Sequence, residues 1–301
     1  MAQTEQQVYD KIKSWARARD DVRAVLITSS RTVPGAPVDA YSDYDVILIV
    51  RDVMAYAEET EWLEAFGDVV IAYWDPIEAD ETTGEPSSSN IVQYASGLDI
   101  DFGLWPESSL AKIVQNQELT EELDAGYRVL VDKDGVAAQL GSPTYRGYIP
   151  KPPDEATYLR LITDFYIGPP HIAKCLIRGD LVIAKWILDT DMRHVYLQPM
   201  LDWRVEIDHG WNHKPGTLGK GIQKVLPAAL WHDVKATYVG ADIDQNWDAM
   251  FLMMKTFGTA AREVGDALGY RYPQQLEDRV TQHVRAMRAG VFANGPLDDS
   301  A

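Results

Sequence analysis

Apolar positions along the chain change their period near its middle. Residues 4–19 place Val8, Ile12 and Trp15 at helical spacing, which predicts an amphipathic helix closed by Asp20 and Asp21. VRAVLIT (22–28) then reads as a short β-branched strand, and YDVILIV (44–50) as a near-continuous apolar run of the buried-strand type. Between them lies SSRTVPGAPVDAYSD, a loop full of Ser, Pro and Gly. Residues 52–65 and 107–126 read as helices, and DVVIAYWD (68–75) as a third strand. The polar stretch 79–90 reads as a turn region, and 91–106 as two extended runs about a turn at Ser96-Gly97. YRVLVDKDG (127–135) reads as a strand ending in a turn.

Pro143, Pro150, Pro152 and Pro153 punctuate the next stretch, the best place for a domain boundary. Beyond it the strand signal nearly vanishes. Helices are expected over 154–167, 170–178, 180–208, 219–239, 242–268 and 273–288, with Pro199 expected to kink or interrupt the third. The expected organisation is a mixed α/β domain over residues 1–148, an all-α helical bundle over 149–290 and a flexible tail over 291–301. No internal repeat is visible.

Composition narrows the function. Apolar residues make up 46% of the 301 positions and charged residues 25%, ordinary globular usage. Enough aromatic side chains need burial to exclude a disordered chain. The single cysteine, Cys175, excludes an intramolecular disulfide and a cysteine-rich zinc module. No run approaches a membrane span, and the polar N-terminus does not resemble a secretory signal, so a soluble cytoplasmic protein is expected. A net charge of −18 repels phosphate backbones and disfavours nucleic-acid binding. It suits a cationic ligand or a metal, although acidity can serve solubility alone. A monomer is favoured over an oligomer.

Chemistry concentrates at two Asp-x-Asp pairs. Asp43 and Asp45 open the apolar strand 44–50, and Asp99 and Asp101 repeat the arrangement in LDIDFGL. Residues i and i+2 of a strand share a face, so each pair projects together, and adjacent strands would gather the pairs. Carboxylates gathered in this way repel one another unless a cation lies between them, and Mg²⁺ is the natural guest. The bland alternative is a set of solvated turn residues. Before the first pair, Ser29 and Ser30 could open a helix whose N–H groups hold a phosphate, with Arg31 neutralising it. A helix cap and a surface arginine are the commoner reading of an isolated Ser-Arg pair.

The order strand, Ser-Ser-Arg, loop, Asp-x-Asp strand and later Asp strand resembles the nucleotidyltransferase superfamily. A closer resemblance, spanning about residues 5–288, is to the aminoglycoside 6-adenylyltransferases, the streptomycin adenylyltransferases. It is carried by SSRTVPGAPVDAYSDYDVILIV, IDFGLWP, YRVLVDKDG, HIAKCLIRGDLVIAKWILDTDMRH and NWDAMFLMMKTFGTAAREVGDALGYRYP. The resemblance implies an N-terminal nucleotidyltransferase domain, with a mixed sheet flanked by helices, and an all-α C-terminal domain. It implies AMP transfer from ATP to a hydroxyl of a cationic aminoglycoside, with Mg²⁺. By motif matching, Asp43, Asp45 and Asp101 become metal ligands and catalytic carboxylates. Ser29, Ser30 and Arg31 fall in the triphosphate loop, and Lys174 reaches the phosphates. The family carries Gly where this chain has Ser29. A nucleotide-binding or regulatory protein on the same fold is the alternative, as is transfer to another hydroxylated small molecule.

Other motifs are weaker. HGWNH (209–213) spaces His209 and His213 as in a helical zinc site but lacks the Glu, and GTLGKG (216–221) departs from a Walker loop. Trp105, Trp203, Trp211 and Trp247 are candidates for stacking on a base or sugar, against the general expectation that tryptophan fills the core.

Overall fold

Strand β1 (Val22–Thr28) and strand β2 (Tyr44–Val50) form where the chain is most continuously apolar, and both are buried along nearly their whole length. The computed structural model describes residues 4–291. Contacts divide the chain into two units, one ending at Tyr148 and the other beginning at Ile149. The tail expected at 291–301 lies, from residue 292 on, outside the described residues.

The first unit holds one mixed sheet. Helix α1 (Glu5–Arg17) precedes β1, capped by a reciprocal pair of hydrogen bonds between Thr4 and Gln7. After β2 come helix α2 (Val53–Glu58), a 3₁₀ stretch (Glu61–Phe66), strands β3 (Val69–Trp74), β4 (Glu78–Ala79), β5 (Pro86–Tyr94) and β6 (Asp99–Pro106), helices α3 (Glu107–Asn116) and α4 (Glu121–Asp124), and strand β7 (Tyr127–Asp132). The strand order is β3-β5-β6-β2-β1-β7, with β4 paired to β5. Only β2 and β6 run parallel; every other pair is antiparallel.

Period-two alternation gives the central strands two buried faces. Val25, Ile27, Val46, Leu48, Ile100, Phe102 and Leu104 face one core with Ile12 of α1 and the Trp62–Phe66 cluster. Ala24, Leu26, Ile47 and Ile49 face a second, smaller core with Leu110, Ile113 and Leu123. Residues 79–90 are only partly a turn, because β5 begins at Pro86 and buries Ser88 and Asn90. The helices expected over 52–65 and 107–126 are each broken in two. Gln117 at φ 55° ends α3 in the left-handed region.

The second unit is all helical. Helix α5 (Glu155–Arg178) runs through Gly168, Pro169 and Pro170 as one helix, where two were expected. The prolines remove ladder donors, but Phe165, Tyr166, Pro169 and Ile172 are all buried, so packing overrides local propensity. Helix α6 (Leu181–Trp186), a π-helical stretch (Ile187–Leu197) and helix α7 (Gln198–His209) then follow without a break. The expected interruption at Pro199 takes the form of a change of hydrogen-bond register just before it. The helix expected over 219–239 is reduced to short 3₁₀ turns and helix α8 (Ala228–Ala236). Helices α9 (Ile243–Leu268) and α10 (Gln274–Arg288) complete the unit. Its core centres on Phe165 and Phe257, stacked with ring centroids 3.7 Å apart. Trp247 belongs to this core and stacks on Phe251. No helix among the described residues is long and apolar enough to cross a membrane.

Asp202 of α7 is a charged group at the edge of that core. Burial is the main cause, with the Glu206 charge adding to it, that pushes its carboxyl up to about 6. Between the ordinary carboxylate range and about 6 the folded protein therefore holds more protons than the unfolded chain. Stability falls as pH rises through that window and stays lower above it. Asp202→Asn keeps an acceptor for Gln198 Nε2, 2.9 Å away, without the charge. It should gain ~1–2 kcal/mol at pH 7–8 and nothing at pH 4, read by denaturant unfolding at both pH values.

Candidate active site

The parallel pairing of β2 with β6 sets Asp45 directly opposite Asp101, with Tyr44 opposite Ile100. Ile47 and Gly103 lie two residues further along the same face. Asp43 lies just outside the strand and is exposed, while Asp45, Asp99 and Asp101 are half-buried. The two sequence pairs are thus brought to one end of adjacent strands, and the register selects Asp101 as the neighbour of Asp45.

These carboxylates perturb each other. Asp101 is pushed up to about 7, first by burial and then by the charges of Asp45, Asp43 and Asp99. Asp99 is raised by burial and by Asp43, against a hydrogen bond from Gln93. One carboxylate oxygen of Asp99 and one of Asp101 are buried without a hydrogen-bond partner. A buried, partnerless acceptor beside like charges is the environment a cation relieves. Among the described residues, no three carboxylate, imidazole or thiol groups converge closely enough to hold a metal ion as they stand. Mg²⁺ needs only one or two carboxylates when phosphate oxygens and water complete its shell. The Asp45–Asp101 pair meets that requirement.

A cleft of about 640 Å³ opens beside the pair. Its lining includes Asp45, Asp101, Asp75, Glu122, Ser89 and Trp105. Ser89 donates to the Asp75 carboxylate, and Thr28 at the end of β1 donates to Glu122 at 3.3 Å. Gly103 lines the floor, where a Cβ would make ordinary contact with Ile47 at 3.6 Å and Trp105 at 3.7 Å. Trp105 lines this cleft, whereas Trp203, Trp211 and Trp247 do not. Asp75, Glu122 and Ser89 escaped sequence reasoning. A run of serines resembles a turn, but a strand bordering a polar cleft needs no apolar side chains on that face.

The Ser-Ser-Arg segment forms one 3₁₀ turn, Ser29–Arg31, directly after β1. Ser29 holds φ 59°, the left-handed region that glycine occupies without steric cost. Arg31 donates from Nε to the Asp43 carbonyl at 2.7 Å and from Nη2 to the Ser42 carbonyl at 2.5 Å. Lys174 is exposed on α5, in the second unit. The rings of His209 and His213 lie tilted with centroids 4.9 Å apart, and His209 Nδ1 lies 2.8 Å from the Val205 carbonyl.

The family model for streptomycin adenylyltransferase matches residues 2–287. The chain belongs to that family. Aminoglycoside 6-adenylyltransferase of Bacillus subtilis (strain 168) is 24% identical over 290 residues, covering 96% of this chain and 99% of the relative. The protein of the same name from Campylobacter jejuni is 24% identical, covering 93% and 94%. That from Staphylococcus aureus is 22% identical, covering 94% and 98%. A crystal structure of an aminoglycoside 6-adenyltransferase from Bacillus subtilis matches at TM-score 0.46 and 21% identity, over 95% of this chain and 99% of the other. Ser29, which the motif resemblance sets against a glycine, has a glycine-like backbone.

Two outcomes follow from this geometry. In the metal-free protein, Asp45→Asn should lower the Asp101 titration midpoint from about 7 towards the ordinary carboxylate range, followed by carbon-detected NMR of the carboxyl groups. An unmoved midpoint means that the two groups do not interact. At the turn, Ser29→Val should cost about 1–2 kcal/mol, because a β-branched side chain resists positive φ, while Ser29→Gly should be neutral to slightly stabilising. Thermal unfolding of the two variants measures both.

Proposed function

We propose that this chain transfers AMP from ATP to a hydroxyl of an aminoglycoside such as streptomycin. The carrying observation is the Asp45–Asp101 pair at the head of an acidic cleft, in a chain of the streptomycin adenylyltransferase family. The acceptor oxygen forms a bond to the α-phosphorus as the bond from that phosphorus to the bridging oxygen breaks. Pyrophosphate leaves, and the hydroxyl proton passes to a carboxylate.

Mg²⁺, when bound, supplies charge neutralisation on the transferring phosphoryl group. Asp45 and Asp101 would hold it, with Asp43 beside them at the strand mouth. Asp101 Oδ1, buried and unpaired, is the proton acceptor we assign. Ser29 and Ser30 offer hydroxyls and N–H groups to the triphosphate. Asp75, Glu78, Asp80 and Glu122 add to the acidity of the cleft lining. A cleft of one charge sign focuses its field and concentrates a polycationic sugar. Nucleic acid and membrane surfaces suit this chain poorly for the same reason. A cytoplasmic monomer meeting drug and ATP together completes the reading.

Ser29 favours a second reading, a nucleotide-binding protein without turnover, because a serine side chain limits how closely the backbone approaches phosphate. Incubation with ATP, Mg²⁺ and a panel of aminoglycosides, followed by mass analysis, should show one added AMP on streptomycin. Tight ATP binding with no adduct on any member selects the second reading. Asp45→Asn should cut transfer by about 10²- to 10³-fold, the effect of losing one charge-stabilising group. Transfer at the parental rate removes Asp45 from the site.

A further inference from the structure

We propose that Arg31 is a positioning residue, whose guanidinium clamps the backbone at the mouth of β2 and so holds Asp43 and Asp45 in place beside Asp99 and Asp101. The inference rests on the functional reading above, in which those carboxylates are the working groups. It departs from the phosphate-binding role that the family resemblance implies for Arg31.

The ladder between β2 and β6 starts at Tyr44, and the pairing of β2 with β1 reaches only Val46 at that end. The carbonyls of Ser42 and Asp43 therefore lie beyond the sheet, where a strand end frays. Arg31 supplies the missing partners from a rigid planar fork: Nε to Asp43 at 2.7 Å and Nη2 to Ser42 at 2.5 Å. Its side chain is only 7% exposed.

Aromatic stacking fixes the fork. The guanidinium carbon lies 3.6 Å from the centre of the Tyr44 ring, and Tyr44 meets the Tyr9 ring edge-on at 5.8 Å. Arg128 covers Tyr9 at 4.5 Å. Glu5 lies 4.0 Å from Arg31 and 3.5 Å from Arg128. Helix α1, the turn after β1 and the mouth of β2 thus converge on one guanidinium, and Arg128 of β7 covers the cluster over Tyr9 and Glu5. An arginine stacked, enclosed and bonded to two carbonyls is poorly placed to follow a triphosphate. It is well placed to restrain carboxylates that repel their neighbours.

The test uses the full chain and two variants, Arg31→Met and Arg31→Lys. Amide hydrogen exchange is followed without metal or nucleotide. The segment Ser42–Val46 should exchange about tenfold or more faster in Arg31→Met, with residues 155–288 unchanged. Arg31→Lys keeps the charge but not the fork, and should fall between. In steady-state assays, kcat should drop about 10- to 100-fold with KM for ATP within about threefold, and Arg31→Lys should recover part of kcat. Unchanged exchange in both variants overturns the clamp. So does a KM for ATP raised about tenfold or more with kcat held, the mark of a lost phosphate contact. If Arg31→Met fails to fold, Arg31→Lys carries the same readouts. If the wild-type chain transfers no AMP to any acceptor, the functional reading fails, and the exchange result still decides the clamp.

Discussion

The parallel hydrogen-bonded ladder between β2 and β6 is the constraint on which the site depends. It sets two carboxylates side by side, at a position their charges alone would not choose. Burial first, and the neighbouring charges after it, push the Asp101 carboxyl up to about 7. The surrounding strands supply the opposing stability, because Val46, Leu48, Ile100, Phe102 and Leu104 are buried directly behind the pair. The apolar inner face of the sheet is therefore what permits a repulsive outer end. A site assembled in this way stands ready for positive charge, whether from a metal ion or from a substrate ammonium group.

The strands legible in the sequence are those buried on both faces, because a continuous β-branched apolar run of seven residues suits the middle of a sheet and little else. β1 and β2 fall where VRAVLIT and YDVILIV predict. What escaped was structure decided by distant packing. β5 runs through the serine stretch because its ladder is made with β6, and it borders a cleft. Helix α5 crosses two prolines because its buried residues fit the bundle core. Gln117 stops α3 by a left-handed turn that no local residue demanded. For β5 and α5 tertiary packing outweighs local preference.

The clustering of the acids could be read without the fold around them. Asp-x-Asp at the head of an apolar strand fixes a shared face without knowledge of the neighbours, so Asp43, Asp45, Asp99 and Asp101 were recognisable as a group. The pleat could not say which member of the second pair meets Asp45, since that is a matter of register between strands more than 40 residues apart in sequence. Asp75 and Glu122 were invisible for a related reason. Each is one acid among 46, and only the closing of a cleft distinguishes it.

Ser29 and Arg31 show how much a single turn must accomplish. The chain leaves β1 buried and passes at once into the 3₁₀ turn Ser29–Arg31, with Ser29 in a conformation glycine would take without cost. The same turn aims Arg31 back across the mouth of β2. A loop that only cradled phosphate could leave its arginine in solvent, where long side chains keep their rotamer entropy. Burying it on Tyr44 sacrifices that entropy, and the return is a fixed backbone beneath Asp43 and Asp45. Carboxylates that repel one another keep a fixed geometry only when the strand beneath them cannot relax, so the strain in the turn and the order in the carboxylates are two aspects of one arrangement.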